Sequence, residues 1–596
     1  MKKKIIWILV SLVMGLSLVI ASCAPKEAAK EKEVGKATVV TGEEKTVAEK
    51  VAEEKPEILP PEVPKYGGTY TYIGADIRGF DPVKFLTMDC TANHFVCGYA
   101  MMGDWTKGPA GTNEIDWNNG FVGRSDVWAG NFAESWEIPD QNTIIFHVRK
   151  GIKFQNKAPV NGRELTAYDF EYSWNRAWFA PGAYHPTSVD KDAIPTSIKA
   201  IDKYTLEIKA PAKQLGIVWL LTGAMAWIYP HEVIDVYGDM TDWHNLVGAG
   251  PFMLADYVPG ASVTYTKNPT YWEHDPFHPE NQLPYLDTVR ALIIPDLSTQ
   301  LAALRTGKVD KMASISWENG ELLLKQCPDL KYVVKFGGAT FLWGRLDKPE
   351  LPFKDIRVRQ ALNIAINKQE IIDDYYNGHA VMLGWPYLPT SSYAPWYTPL
   401  EEMPEEVQML YKYDPEKAKQ LLKDAGYPQG FKTKVQCSSV DVDFLSMIRE
   451  YLLKVNVDMV IEPLEPSIFT SVLRARKHDE IIYKFGTLHW PARFLEVRKE
   501  SFDDHSFFES TTTREWYNTI TANYWKPDVV DPILKKYGPF VLGQAIGIWL
   551  PVPETYIMWW PWVQNYHGEQ MMGFTQVEFH TRYIWIDTAL KKSMGY

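Results

Sequence analysis

Residues 131–154 read NFAESWEIPDQNTIIFHVRKGIKF. An apolar run through Trp136 and Ile138 breaks at Pro139-Asp140-Gln141-Asn142, and the chain then alternates from Thr143 to Val148 with Ile144, Phe146 and Val148 on one face. Two such runs separated by turn-forming residues predict a β-hairpin with one buried face. Arg149-Lys150-Gly151 turns the chain into Ile152 and Phe154. Further on, Thr166 with Asp169 three positions later makes a capping-box pattern. Phe170, Trp174, Ala177 and Trp178 then recur at helical spacing, which predicts a helix with one hidden face.

The succession AESWE, a turn, FHVRKGIKF and then LTAYDF resembles the bacterial extracellular solute-binding proteins of the peptide/nickel class, family 5, the partners of ATP-binding-cassette importers. Other stretches carry the same resemblance in chain order. Tyr66-Gly67-Gly68 opens an alternating strand through Ile73, followed by Gly79-Phe80-Asp81-Pro82. Val247-Gly248-Ala249-Gly250-Pro251-Phe252 and Lys267-Asn268-Pro269-Thr270-Tyr271-Trp272 are similar to the family's VGTGPY and RNPxYW series, with Ala249 in place of Thr and Lys267 in place of Arg. Gly248 and Gly250 let backbone approach a neighbour or a ligand closely, or simply make a tight turn between strands.

In the second half, FKDIRVRQALN from Phe353 to Asn363 is a close match, with Asp355 as helix cap and Val358, Ala361, Leu362, Ala365 and Ile366 on one face. Asn367 and Glu370 pattern a second helix through Ile371, Ile372 and Tyr375. A third starts at Asp414-Pro415, buries Ala418, Leu421, Leu422 and Ala425, and ends at Gly426. Outside the motifs, 198–208 reads as another hairpin, 289–294 as a strand, and 101–127, rich in Gly, Asn, Asp and Trp, as a loop.

At the start of the chain, Lys2, Lys3 and Lys4 precede an apolar run to Ile20-Ala21-Ser22-Cys23. The run is shorter than the ~20 residues of a membrane-spanning helix. A basic flank, an apolar stretch and small residues before a Cys predict an export signal over 1–22, with Cys23 as the lipidated first residue of the mature chain. Residues 23–65 are rich in Ala, Val, Lys, Glu and Pro, have too little to bury, and are expected to be a disordered tether.

The 596 residues allow two or three domains. A net charge of -12 without a basic stripe argues against nucleic-acid binding. The 23 Trp and 32 Tyr supply flat side chains of the kind that line ligand clefts as well as cores. Beyond Cys23 there are four cysteines, and Cys327 with Cys437 is the expected disulfide of an exported protein. Cys90, His94 and Cys97 share a face if helical, a pattern that fits a buried apolar face better than a metal site with a missing fourth ligand.

The chain contains no GxxxxGK[ST], GxSxG or HExxH motif, so no enzyme is expected, with glycoside hydrolysis the remaining catalytic alternative. The resemblance implies an α/β fold of the two-lobe periplasmic-binding-protein type II, with an additional peripheral domain inserted in lobe I. Lobe I is expected from 66–95, 197–295 and 560–596, the peripheral domain from 96–196 and lobe II from 296–559, with the 289–294 strand crossing between lobes as one hinge. The implied function is capture of a solute, an oligopeptide or alternatively an oligosaccharide, by a monomer that is lipid-anchored on the outer side of the cell membrane and delivers to an ATP-binding-cassette permease, with no metal and no cofactor. Peptide binders of the family place an Asp for the peptide amino group in a lobe II segment that matches 485–494 here, and no acid stands between Phe485 and Phe494. The candidate ligand residues are Trp490 for stacking, Arg493 for a carboxylate, Trp343 and Arg345 from a strand edge, and Trp396 from a loop.

Overall fold

The computed structural model describes residues 63–83, 90–117, 124–486, 504–574 and 576–596. The expected export signal, Cys23 and the expected tether up to residue 62 lie outside the described residues, as do Trp490 and Arg493. No helix among the described residues is long and apolar enough to cross a membrane.

Three sheets organise the chain from residue 64 onward. The largest has the strand order Lys331–Phe336, Val552–Trp559, Lys311–Ser316, Thr69–Ile73, Thr288–Leu292, Ser262–Lys267 and Phe252–Val258, with Ala380–Val381 pairing onto the start of Val552–Trp559. Thr69–Ile73 buries Tyr70 completely, as its alternation demands. The second sheet has the order Val457–Leu464, Phe431–Ser438, Ile481–Gly486, Ala339–Gly344 and Ile548–Trp549. Each of its faces carries its own apolar core, one around Trp343 and Trp549, the other around Leu342, Val435 and Ile448.

The third sheet is built on the opening hairpin. Ala133–Asp140 pairs with Thr143–Val148, and Ile144, Phe146 and Val148 are buried on one face. The helix Ala167–Phe179 has the expected reciprocal capping box between Thr166 and Asp169. Trp174 and Trp178 turn inward, donating from Nε1 to the Ala226 carbonyl and the Thr222 hydroxyl. They reach across to Leu215–Met225, a helix buried on all sides.

Several expectations are corrected. Ser197–Asp202 and Thr205–Lys209, expected in lobe I, complete this peripheral sheet, because Thr205–Lys209 pairs with Thr143–Val148. The chain from Leu297 to Phe336, expected in lobe II, supplies strands of the first sheet, and so does Val552–Trp559. Thr288–Leu292 is not a hinge: it is paired on both sides, parallel to Thr69–Ile73 and antiparallel to Ser262–Lys267. The crossings between the first and second sheets lie instead at 337–338 and 550–551. Met101–Gly103 is a strand paired with Trp128–Gly130, not loop, because Trp105, Ile115 and Trp117 are buried beside it.

The expected disulfide is absent. Cys327 ends the helix Trp317–Gln326 and belongs to the core of the first sheet, whereas Cys437 lies in a strand of the second, and both are free thiols. Only Asn93–Val96 of the Cys90–Cys97 stretch is helical, and no described group of three His, Cys, Asp or Glu is placed to hold a metal. The His94 ring packs edge-on to Trp227, with centroids 4.8 Å apart.

Candidate ligand site at the seam between the sheets

Two crossovers of a few residues leave two separately cored bodies that meet along a seam. The first crossover leaves Lys331–Phe336 through Gly337 and enters Ala339–Gly344; the second leaves Ile548–Trp549 and enters Val552–Trp559. Their backbones are tied: Gly337 N–H donates to the Pro553 carbonyl at 2.8 Å, and Leu550 N–H to Thr340 at 3.2 Å.

Away from the crossovers the seam is closed by polar contacts. The Ser392 hydroxyl donates to Asp116 at 2.8 Å, the Gln214 amide donates to the Tyr517 hydroxyl at 3.2 Å, and the Thr521 hydroxyl donates to the Lys213 carbonyl at 3.1 Å. Thr511–Asn523 packs here on Leu215–Met225 so closely that a Cβ on Gly216 would stand 2.4 Å from Tyr524 Cβ.

The candidate residues fall at different depths along this seam. Trp396 is 1% exposed and donates from Nε1 to Asp531 at 2.9 Å. It lines a crevice whose far wall is Arg124 and Asp126, with Tyr524 and Val530 between. Burial pushes the Asp531 carboxyl up from its ordinary range, and the bond from Trp396 only partly offsets this.

Trp343 is 4% exposed and belongs to an aromatic cluster, perpendicular to both Trp385 and Trp549, which stack on each other at 4.3 Å. The indole N–H groups of Trp343 and Trp549 have no partner among the described residues. Trp343 therefore forms part of the inner wall of lobe II rather than an open surface.

Arg345 departs from expectation. Its Nε and Nη2 both donate to Asp347, at 2.7 and 2.6 Å, its Nη1 donates to the His478 carbonyl at 3.1 Å, and its guanidinium lies 3.9 Å from the Phe507 ring. A bidentate fork that already holds a carboxylate has little left for a ligand. The bond from Arg345 holds the Asp347 carboxyl below its ordinary range.

Gly248 and Gly250 are structural. Gly250 N–H donates to the Val96 carbonyl at 2.9 Å, and a Cβ on Gly250 would come within 2.6 Å of the Phe95 and Cys97 carbonyl oxygens. Gly250→Ala is expected to cost about 1–3 kcal/mol by overpacking against backbone that cannot swing away. Urea unfolding checks this, and an unchanged midpoint would refute it.

The sequence reading missed a polar cluster at the first crossover. Lys335, the penultimate residue of its strand, donates from Nζ to Gln570 Oε1. The Gln570 backbone N–H in turn donates to the Trp117 carbonyl at 2.9 Å, next to Asp116 and hence to Ser392 of the opposite lobe. Burial, with the nearby Lys311 adding to it and Asp116 opposing, pushes the Lys335 ammonium down to about 8. The available signal was parity: in KYVVKF, Lys335 shares the half-buried face of Val333 while Tyr332 and Val334 are exposed.

The sequence model described as bacterial extracellular solute-binding proteins, family 5 Middle, matches residues 128–496. The chain belongs to this family. Among curated relatives, the heme-binding protein A of Haemophilus influenzae is 31% identical over 319 residues, which is 50% of this chain and 54% of that protein. The dipeptide-binding protein of Escherichia coli is 28% identical over 326 residues, 52% of this chain and 57% of that protein. The aligned part thus spans about half the length of these relatives. Among solved structures, the periplasmic binding protein DppA from Helicobacter pylori in complex with the peptide STSA has a TM-score of 0.67 at 22% identity, covering 88% of this chain and 99% of that one. AppA from Bacillus subtilis, in complex with a nonapeptide, has a TM-score of 0.64 at 16% identity, covering 88% and 100%. These likenesses establish the two-lobe periplasmic-binding-protein fold.

Proposed function

We propose that this family 5 protein captures a solute, an oligopeptide, between its two lobes outside the cytoplasm and delivers it to an ATP-binding-cassette permease without altering it. The observation that carries the reading is the pair of short crossovers between two sheets with separate cores. Bodies joined in this way rotate about the crossovers, and a ligand held between them favours the closed state by its differential affinity for it. A permease that recognises the closed state then receives loaded protein. Cys23 as a lipidated residue keeps a monomer at the membrane surface through the 23–65 tether.

Family membership supports solute binding rather than catalysis. A peptide ligand is favoured because relatives or structural neighbours are named for dipeptides and oligopeptides or carry bound peptides. Other relatives or neighbours are named for heme or glutathione or hold agropinic acid, solutes that share with peptides a free carboxylate.

Thermal unfolding of the tether-free protein in the presence of di- to pentapeptide pools, oligosaccharides, hemin or Ni²⁺ tests the class. Peptides at about 100 times Kd are expected to add about 2.7 kcal/mol of stability. Stabilisation by oligosaccharides alone would overturn the peptide reading, and sustained release of sugar products from glycans would overturn binding without chemistry.

A further inference from the structure

We infer that Lys335 is the residue that receives a carboxylate of the bound solute at the first crossover, so that the protein selects anionic, carboxylate-bearing ligands. This rests on the reading of the chain as a solute-binding protein and adds the chemistry of its selection.

Three observations carry it. The Lys335 ammonium is engaged by Gln570, a neutral amide, and no carboxylate of the described residues lies within 4.0 Å of it. By contrast, the neighbouring Lys311 is fully neutralised, by Glu578 at 2.8 Å. A partly buried ammonium gains from an anion and further acceptors that satisfy it. Lys335 has three N–H donors and one acceptor among the described residues, which leaves the valence that a carboxylate fills.

Position is the second observation. Lys335 is separated from Ala339 of the second lobe by Phe336 and two glycines, so an anion bound to it lies at the pivot of closure. The third is continuity with the seam: Lys335, Gln570, Trp117, Asp116 and Ser392 form one chain of contacts from one lobe to the other. An anion at Lys335 adds its charge to a network that closes the lobes. The same side chain, pointing inward from an edge strand, also discourages pairing with another chain. That role predicts no dependence of ligand affinity on the side chain.

The test compares wild type, Lys335→Met and Lys335→Arg by thermal shift and by intrinsic tryptophan fluorescence. The probes are a random tetrapeptide pool as free acids, the same pool amidated at the C-terminus, hemin and its dimethyl ester, and agropinic acid. Wild type is expected to bind a free carboxylate about tenfold or more tightly than its amide or ester, as for one charge-assisted hydrogen bond. Lys335→Met is expected to lose that ratio and Lys335→Arg to retain it, with the unliganded Met variant at least as stable as wild type. A ratio in Lys335→Met equal to that of wild type overturns the inference, as does wild-type indifference to every carboxylate. If only hemin shows the Lys335-dependent ratio, or only agropinic acid loses affinity in Lys335→Met, the oligopeptide reading fails while the carboxylate site stands.

Discussion

Lowering the pH from 7 to 5 is expected to reduce the stability of the folded chain, with a net slope of about 2–3 kcal/mol per pH unit near pH 5 once Asp504, which burial pushes up to about 7 and which therefore opposes the change, is counted. Three histidines carry most of the loss, and His580, which burial also lowers, adds to it. Burial pushes His94 and His478 down to about 3, and His185 down to about 4. The His94 ring nitrogens have no partner among the described residues, and the ring lies against Trp227 and Phe579. The His478 ring nitrogens likewise have no partner among the described residues, and the nearby Arg345 guanidinium acts on it in the same sense as burial.

The direction follows from proton counting. An unfolded histidine takes up its proton near pH 6.5, whereas these three stay neutral in the folded state until about pH 4 or 3. Between those limits the unfolded chain binds more protons, so stability is fully present above about pH 6.5 and is lost as the pH falls. Urea unfolding at half-unit pH intervals measures the slope. His94→Leu, which suits an apolar site, is expected to flatten it by about 1.4 kcal/mol per pH unit between pH 6 and 4. A slope that His94→Leu leaves unchanged would show that His94 is protonated in the folded protein.

The second large effect is expected at the C-terminal end. Arg582, 1% exposed, donates from Nη1 to Glu273 at 2.9 Å and to the Tyr271 hydroxyl at 2.8 Å. Tyr583 donates to the other Glu273 oxygen at 2.6 Å, and Tyr271 also donates to this carboxylate. Glu273 and Tyr583 are 310 residues apart in sequence, so the cluster fastens the last turns of the chain onto the first lobe. Arg582→Met removes the cation and leaves a buried carboxylate, at an expected cost of about 3–5 kcal/mol.

Replacing both partners, Arg582→Met with Glu273→Gln, is expected to recover most of that loss, because the cost lies in the uncompensated charge. Denaturant unfolding of the two single variants and the double variant separates these terms. A single-variant loss below about 1 kcal/mol would mean that water reaches Glu273 and that the site is not sealed.

Local elements were legible because their determinants are local. The capping box at Thr166 and Asp169, the Asp414 cap with Pro415 behind it, and the alternation of Ile144, Phe146 and Val148 act within a few residues, and each is present. So was the family, since its motifs are the turns and caps of those elements. Arg345 was legible as a cation and not as an occupied one: its partner Asp347 is two residues away, but the His478 carbonyl and the Phe507 ring that hold the guanidinium come from distant strands and loops.

The amino-acid sequence by itself determined the hairpin, the capped helices and membership of a two-lobe binding family, because hydrophobic period and capping chemistry are short-range. Only the tertiary structure decided where the lobes join. Thr288–Leu292 has the composition of any buried strand, and its pairing on both sides removes it as a hinge. The glycines at 337–338 become a crossover only because Lys331–Phe336 and Ala339–Gly344 find partners in different sheets. The same long-range pairing places Gln570, and no carboxylate of the described residues within 4.0 Å, against Lys335, since whether a charge is paired depends on residues hundreds of positions away.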